Sequence, residues 1–172
     1  MSRLALAATL GLVLLSGGCG YKVAGRGDAL PKNIKTIAIP AFANATTLYH
    51  LADRLSADIT REFISRTHYR VITDPGTADA VLTGAVVKYF SYATTLDPTT
   101  ARASAAQLMV TISITLTDRA TGKVIYSRNI EAHERYEVSP TSQSYFEESD
   151  AALGRMSRNV ARDAVSAILE KF

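Results

Sequence analysis

From residue 34 onward the spacing of apolar positions switches between two periods, two and about 3.6 residues. Residues 34–40 (IKTIAIP) set Ile34, Thr36 and Ala38 against Lys35, Ile37 and Ile39, the alternation of a strand, and Pro40 ends it. Residues 42–47 read as a turn, with Asn44, Thr46 and Thr47 available to cap a helix. Leu48, Leu51, Leu55, Ile59 and Phe63 then recur at three- and four-residue steps, with Arg54, Asp58, Arg61 and Glu62 between them. That spacing predicts an amphipathic helix to about Arg66. Residues 69–73 (YRVIT) form a short strand, and Asp74-Pro75-Gly76 a turn.

Three long β-prone runs follow. Residues 80–96 are rich in Val, Tyr and Thr, and residues 97–100 (DPTT) close a loop. Residues 103–117 return as a strand in which Val110, Ile112, Ile114 and Leu116 face one way and Thr111, Ser113, Thr115 and Thr117 the other. One packed and one polar face are expected of a sheet covered on a single side. Residues 118–122 (DRATG) predict a tight hairpin with Gly122 at a left-handed position. Residues 123–138 form the most charged of the three strands, which predicts an edge. A final helix carries Leu153, Met156, Val160, Ala164, Ile168 and Phe172 as its apolar stripe. Ser149 or Asp150 is the expected cap; Glu147, Glu148 and Asp150 then lie at the positive end of the helix dipole and Lys171 near the negative end.

Two helical stripes cover one face of a sheet of about four strands. The predicted class is α+β, a two-layer sandwich with a mostly antiparallel or mixed sheet and both helices on one face. No repeat or linker divides the chain after residue 18, so residues 19–172 read as a single domain. With 47% hydrophobic and 20% charged residues the chain has a core to bury, which excludes intrinsic disorder. The net charge of +3 is spread rather than blocked, which argues against nucleic acid.

Residues 1–18 (MSRLALAATLGLVLLSGG) differ from everything after them. Arg3 precedes an apolar run at 4–15, small residues follow, and then comes Cys19, the single cysteine. The run is too short to span a membrane as a helix, which needs about 20 residues. It reads as a signal peptide cleaved before Cys19, the residue expected to carry the acyl chains of a lipoprotein. Ser16 occupies the place where a lipobox usually has Leu. Gly20 follows the cysteine where an inner-membrane retention signal would place Asp, so sorting to the outer membrane is expected. At about 0.8 kcal/mol per buried methylene, several acyl chains hold a protein nearly permanently.

Candidate chemistry is sparse. His50, His68 and His133 are scattered without a metal-ligand spacing, and His133 and Glu134 point to opposite faces of a strand. Gly25-Arg26-Gly27 lacks the third glycine and helix of a dinucleotide fingerprint. The adjacent Glu147 and Glu148 diverge too much to work as a carboxylate dyad, and dipole compensation accounts for them. No catalytic residue, cofactor or metal site is expected. The aromatic residues Tyr89, Phe90 and Tyr92 before the 96–102 loop, and Tyr136, Tyr145 and Phe146 before the last helix, are candidates for a partner or lipid surface.

Gly18-Cys19-Gly20-Tyr21, then Leu30-Pro31 and Ile34-Lys35-Thr36-Ile37-Ala38-Ile39-Pro40, a helix, long strands joined by Thr121-Gly122-Lys123, and a C-terminal helix stand in sequence. In their order and lengths the chain resembles the LptE family of lipopolysaccharide-assembly lipoproteins. The resemblance implies an outer-membrane lipoprotein on the periplasmic face. It further implies binding and plugging of the LptD-like β-barrel translocon, help in assembling that barrel, and contact with lipopolysaccharide on its way to the outer leaflet. The family's basic contact residues lie near a hairpin tip and before the last helix; here residues 96–102 offer only Arg102, and Glu147 and Glu148 occupy the second place. Strand-end cations suit phosphate oxygens. Tyr89, Tyr92, Leu96, Arg102, Arg119 and Lys123 are accordingly the candidate partner or lipopolysaccharide contacts, and Cys19 the lipidation site.

A different class of function competes. Residues 36–40 followed by Phe42-Ala43-Asn44 and Thr46 are also similar to lipoproteins that activate peptidoglycan synthases or build curli-type secretion pores. Activators cross the cell wall on long tethers. Here about a dozen residues separate Cys19 from the first strand, a reach of ~40 Å at ~3.5 Å per residue, which keeps the domain beside its own membrane.

Overall fold

The computed structural model describes residues 30–138 and 142–171. The elements are β1 (Thr36–Ala38), β2 (Ala43–Asn44), α1 (Tyr49–Arg66), β3 (Arg70–Ile72), a 3₁₀ turn (Pro75–Thr77), β4 (Ala80–Leu96), β5 (Ala103–Asp118), β6 (Val124–Glu137) and α2 (Ser142–Glu170). The strands form one sheet in the order β3-β1-β4-β5-β6, with β2 also paired to β4. β1 runs parallel to β3 and β4, and β2 parallel to β4, whereas β4, β5 and β6 form an antiparallel meander. This is the expected α+β fold, two helices on a mixed sheet, with six strands in place of about four.

Of the six, β2 lies in the segment read as a turn. Pro40 has no N–H to offer a ladder, so β1 stops early. Ile39 N still donates to Ile72 O at 2.8 Å, and the chain rejoins the sheet at Ala43 and Asn44, opposite Ala85 and Val86. Between them Phe42 turns inward over Gly84. A Cβ on Gly84 would stand 2.1 Å from Phe42 Cε2, so only glycine lets the ring close over the strand.

The core follows the predicted period. Along β5, Leu108, Val110, Ile112, Ile114 and Leu116 are buried beneath the helices, and Thr111, Ser113, Thr115 and Thr117 line the uncovered face. From α1 come Leu51, Leu55, Ile59 and Phe63, and from α2 Met156, Val160, Ala164 and Ile168, with Leu153 packed at the margin. β6 is an edge strand, as its charges predicted.

The helix starts differ from expectation. The N-cap of α1 is Leu48, which makes no side-chain cap bond. Asn44 and Thr46 instead tie the preceding loop: Asn44 Oδ1 accepts from Thr46 N and Oγ1, and Asn44 Nδ2 donates to Leu48 O. α2 begins at Ser142, so Ser149 and Asp150 lie within the helix. Asp150 pairs across to Arg54 at 2.6 Å, an interaction between helices that a local capping pattern does not reveal. Asp58 accepts from Ser157 Oγ at 2.6 Å, and Arg66 donates to Ser166 Oγ at 2.8 Å. These contacts advance together in both sequences, so the helices run parallel. An exposed pair such as Arg54–Asp150 is worth at most about 1 kcal/mol, and the buried stripes supply the main stabilisation.

Gly84→Ala forces the Phe42 ring from its seat, an overpacking cost of about 2 kcal/mol. For a domain of this size that lowers Tm by roughly 4–8 °C. In a Phe42→Leu background the same substitution costs clearly less, measured as a double-mutant cycle by thermal unfolding.

Candidate functional site

The β4–β5 register separates the candidate residues into two groups. Ala80 pairs with Asp118 at one end of the meander and Leu96 with Ala103 at the other. Seventeen residues of strand at ~3.3 Å each put those ends ~50 Å apart. Leu96 and Arg102 stand at the β4–β5 tip, and Arg119 and Lys123 at the opposite, lower end. No single ligand of ordinary size touches both.

The faces differ too. A bulge between Val86 and Lys88 shifts the alternation of β4. Tyr89 therefore lies opposite Val110 on the helix-covered face, half-buried against the core, whereas Tyr92 lies opposite Gln107 on the uncovered face, 48% exposed. Phe90, opposite Met109 on the same uncovered face, is 59% exposed, as is Leu96. Tyr136 is buried, with its hydroxyl 3.4 Å from Ser91 Oγ. The side chains of Tyr145, Phe146, Glu147 and Glu148, together with Cys19, the 1–18 segment and Phe172, lie outside the described residues.

The tip loop is ordered by one carboxylate. Asp97 Oδ1 accepts from Thr100 N at 2.8 Å, Thr99 N at 2.9 Å and Thr100 Oγ1 at 3.1 Å. Hydrogen bonds from the Thr100 and Thr99 amides hold this carboxyl below the usual range. Ala101 takes a positive φ of 54°, a strained value for a residue with a Cβ, and the loop closes through Asp97 N to Arg102 O at 2.8 Å. Arg102 is exposed, and its guanidinium makes no hydrogen bond or ion pair among the described residues. Arg135 joins it at this end: it lies in the same cross-strand row as Gln107 and Tyr92, and its guanidinium donates to Thr95 Oγ1 at 3.1 Å. Beside it Arg155 of α2 pairs with Glu134 at 2.6 Å, and a cleft opens between the end of β6 and α2, lined by Arg135, Tyr136, Glu137, Ala151 and Arg155. Reading β6 as a charged edge missed Arg135; the equal arms of the β5–β6 hairpin were the signal that could have placed it.

At the lower end the polar groups are engaged with backbone. Asp79 Oδ2 accepts from Lys35 N and Thr36 N, each at 2.9 Å, and these bonds lower its pKa. The carboxyl of Asp118 is lowered by the Thr121 amide and by Asn33. Arg119 Nε donates to Ala78 O at 2.6 Å and its backbone N to Asp79 O, so Arg119 is a strut between the hairpin and the start of β4. Lys123 is exposed. Among the described residues no three His, Cys, Asp or Glu side chains group to hold a metal, and no helix is long and apolar enough to cross a membrane.

This fold, with its long meander and paired helices, is shared by several solved structures. PelC from Paraburkholderia phytofirmans, solved as a dodecamer, superposes with a TM-score of 0.58 at 18% identity, covering 84% of this chain and 93% of that one. A putative lipoprotein from Caulobacter crescentus gives 0.54 at 13% identity over 77% and 87%. The rare lipoprotein B from Shewanella oneidensis gives 0.52 at 14% over 79% and 94%. At such identities the likeness is one of fold. No individually curated protein matches the sequence. The model of the LptE lipopolysaccharide-assembly family matches residues 34–168. The chain belongs to that family.

Within this LptE-family domain the tip, rather than the lower end, gathers exposed apolar side chains and two exposed arginines. Phe90, Tyr92, Leu96, Arg102 and Arg135 form it, and Asp97 keeps it in shape. The Asp97 carboxyl is depressed in the folded state, so its contribution to loop order is complete above its ordinary pKa of about 3.9 and is lost as pH falls through the lower folded value. The Thr99 and Thr100 amide resonances titrate together with a midpoint below about 3.9, and Asp97→Asn abolishes that titration in an NMR pH series while Tm at neutral pH changes little.

Proposed function

We propose that this LptE-family protein is an outer-membrane lipoprotein, anchored through Cys19 on the periplasmic face, that binds and plugs an LptD-like β-barrel translocon. It assists the assembly of that barrel and the passage of lipopolysaccharide to the outer leaflet. The family match over residues 34–168 carries the reading. The tip supports it: a strand-end surface with Phe90, Tyr92 and Leu96 exposed offers the large side chains that anchor interfaces, and loops on a rigid scaffold carry most binding functions. Arg102 and Arg135 are the cations best placed to meet a phosphate or carboxylate there. The protein works by binding, without a catalytic step, cofactor or metal.

Radiolabelled palmitate labels the wild type, and Cys19→Ser leaves the protein unprocessed or in the soluble periplasmic fraction; an unlabelled wild type refutes the anchor. Replacing residues 96–102 with a short Gly-Ser turn weakens co-purification with the barrel while circular dichroism stays folded. Depletion of the protein lowers mature barrel and lets large hydrophobic antibiotics through the outer membrane. Normal barrel levels and normal lipopolysaccharide export after depletion refute the function.

A further inference from the structure

The outer edge of β4 changes character at Val86. Below it, β1 and β2 satisfy that edge, the last bond being Ala45 N to Val86 O at 2.9 Å. Above it, no described strand pairs with residues 87–96, whose other side is taken by β5. Such an edge is normally protected by charge, proline or covering structure. The opposite edge, β6, carries Arg128, Glu131, His133, Glu134, Arg135 and Glu137. Residues 87–96 (VKYFSYATTL) carry one charge, Lys88, and no proline, and expose Val87, Phe90, Tyr92 and Leu96. Only the bulges at 86–88 and 93–96 interrupt it, leaving residues 88–93 in unbroken register with β5.

We propose that this edge pairs with the same edge of a second copy, antiparallel about a two-fold axis through Ser91, joining the two meanders into one continuous sheet. An axis perpendicular to the sheet keeps paired residues on a common face, so partners must match in alternation. Centring on Ser91 meets that condition and sets Phe90 of each copy against Tyr92 of the other on the uncovered face. Two cross-strand aromatic pairs flank the axis, a favourable arrangement in an antiparallel ladder. Tyr89 meets Ala93, and Lys88 meets Thr94, so the two lysines stay far apart and no like charges face each other. The β2 segment of each copy fills the edge from Val86 downward and falls beyond the partner's Thr95, which confines pairing to residues 87–95. The surface is self-complementary, as a two-fold interface must be. One short strand pair is at the small end of specific interfaces, so the dimer is weak and concentration-dependent. It occupies the surface assigned above to the barrel, and makes self-pairing and barrel binding exclusive.

The test needs only the purified mature chain carrying Cys19→Ser, and its outcome is separate from that of the barrel experiments. Sedimentation equilibrium shows a monomer–dimer exchange at micromolar to millimolar concentration. In the same background Ser91→Cys places two thiols directly across the axis and forms an intermolecular disulfide in mild oxidant. Ala93→Cys, whose thiols stand about four residues apart along the ladder, and Val124→Cys at the lower end do not. Ser91→Lys sets like charges face to face and weakens the dimer at least tenfold with an unchanged circular dichroism spectrum. A monomer at every concentration overturns the proposal. So does a disulfide yield no higher at Ser91→Cys than at Val124→Cys, or a dimer that Ser91→Lys leaves intact, which would place self-association on another surface.

Discussion

The shape of this molecule follows from a mismatch of strand lengths. β4 runs for seventeen residues, but among the described strands its outer side is met only by two residues of β1 and two of β2. Every backbone N–H and C=O that the sheet buries needs a partner. Along the lower half of β4 those partners exist on both sides and the helices close over them. Along the upper half β5 alone among the described strands provides them, so the strand leaves the core and most of its side chains meet solvent. Phe90 and Tyr92 are exposed because the bulge at Val86 turns them to the uncovered face, while Tyr89 on the other face stays packed against the core.

The two ends are held by the same device for different ends. Asp79 and Asp118 accept backbone amides at the lower end, and Asp97 does so at the tip. At the lower end the amides belong to β1 and to the β5–β6 hairpin, so these carboxylates lock the first strand, the hairpin and the strut Arg119 into one corner. At the tip the amides belong to the loop itself, so Asp97 shapes the turn without joining it to the body. The lower end is thereby tied inward, and the tip is a shaped projection that carries Arg102 and Arg135 at its surface.

Period alone revealed most of the fold. The alternation of Val110, Ile112, Ile114 and Leu116 and the stripes of Leu51, Leu55, Ile59 and Phe63 on α1 and of Met156, Val160, Ala164 and Ile168 on α2 appear in the structure as the core. What escaped depended on partners distant in sequence. Ala43 and Asn44 become a strand only because β4 presents a free edge at Ala85 and Val86. Asp150, expected as a cap, lies inside α2 and meets Arg54 of α1, a contact that spans 96 residues. The site was less legible for the same reason. A single bulge at Val86 reverses the faces of Tyr89 and Tyr92, and no local signal in VVKYFSY announces it. Arg119 looked like a free turn cation until the fold brought Ala78 O beside it.

The polarity of the domain connects these features to the proposed anchor. Leu30 is buried at the lower end, where its N–H donates to Tyr69 Oη at 2.9 Å, so the chain leading back to Cys19 departs from the rigid corner. Those eleven residues reach ~40 Å at full extension, less than the ~50 Å length of the meander. The proposed anchor at Cys19 thus ties the lower end to the bilayer by a tether shorter than the meander. For a partner embedded in the same membrane this is a useful restraint: the tether confines the tip to a small volume beside the bilayer and raises its effective concentration there to the millimolar range of short linkers. In the proposed function, weak contacts from a few aromatic side chains and two arginines gain from this confinement, and so does the proposed self-pairing. Because both proposed associations use the β4 edge, the number of barrels sets the balance between them.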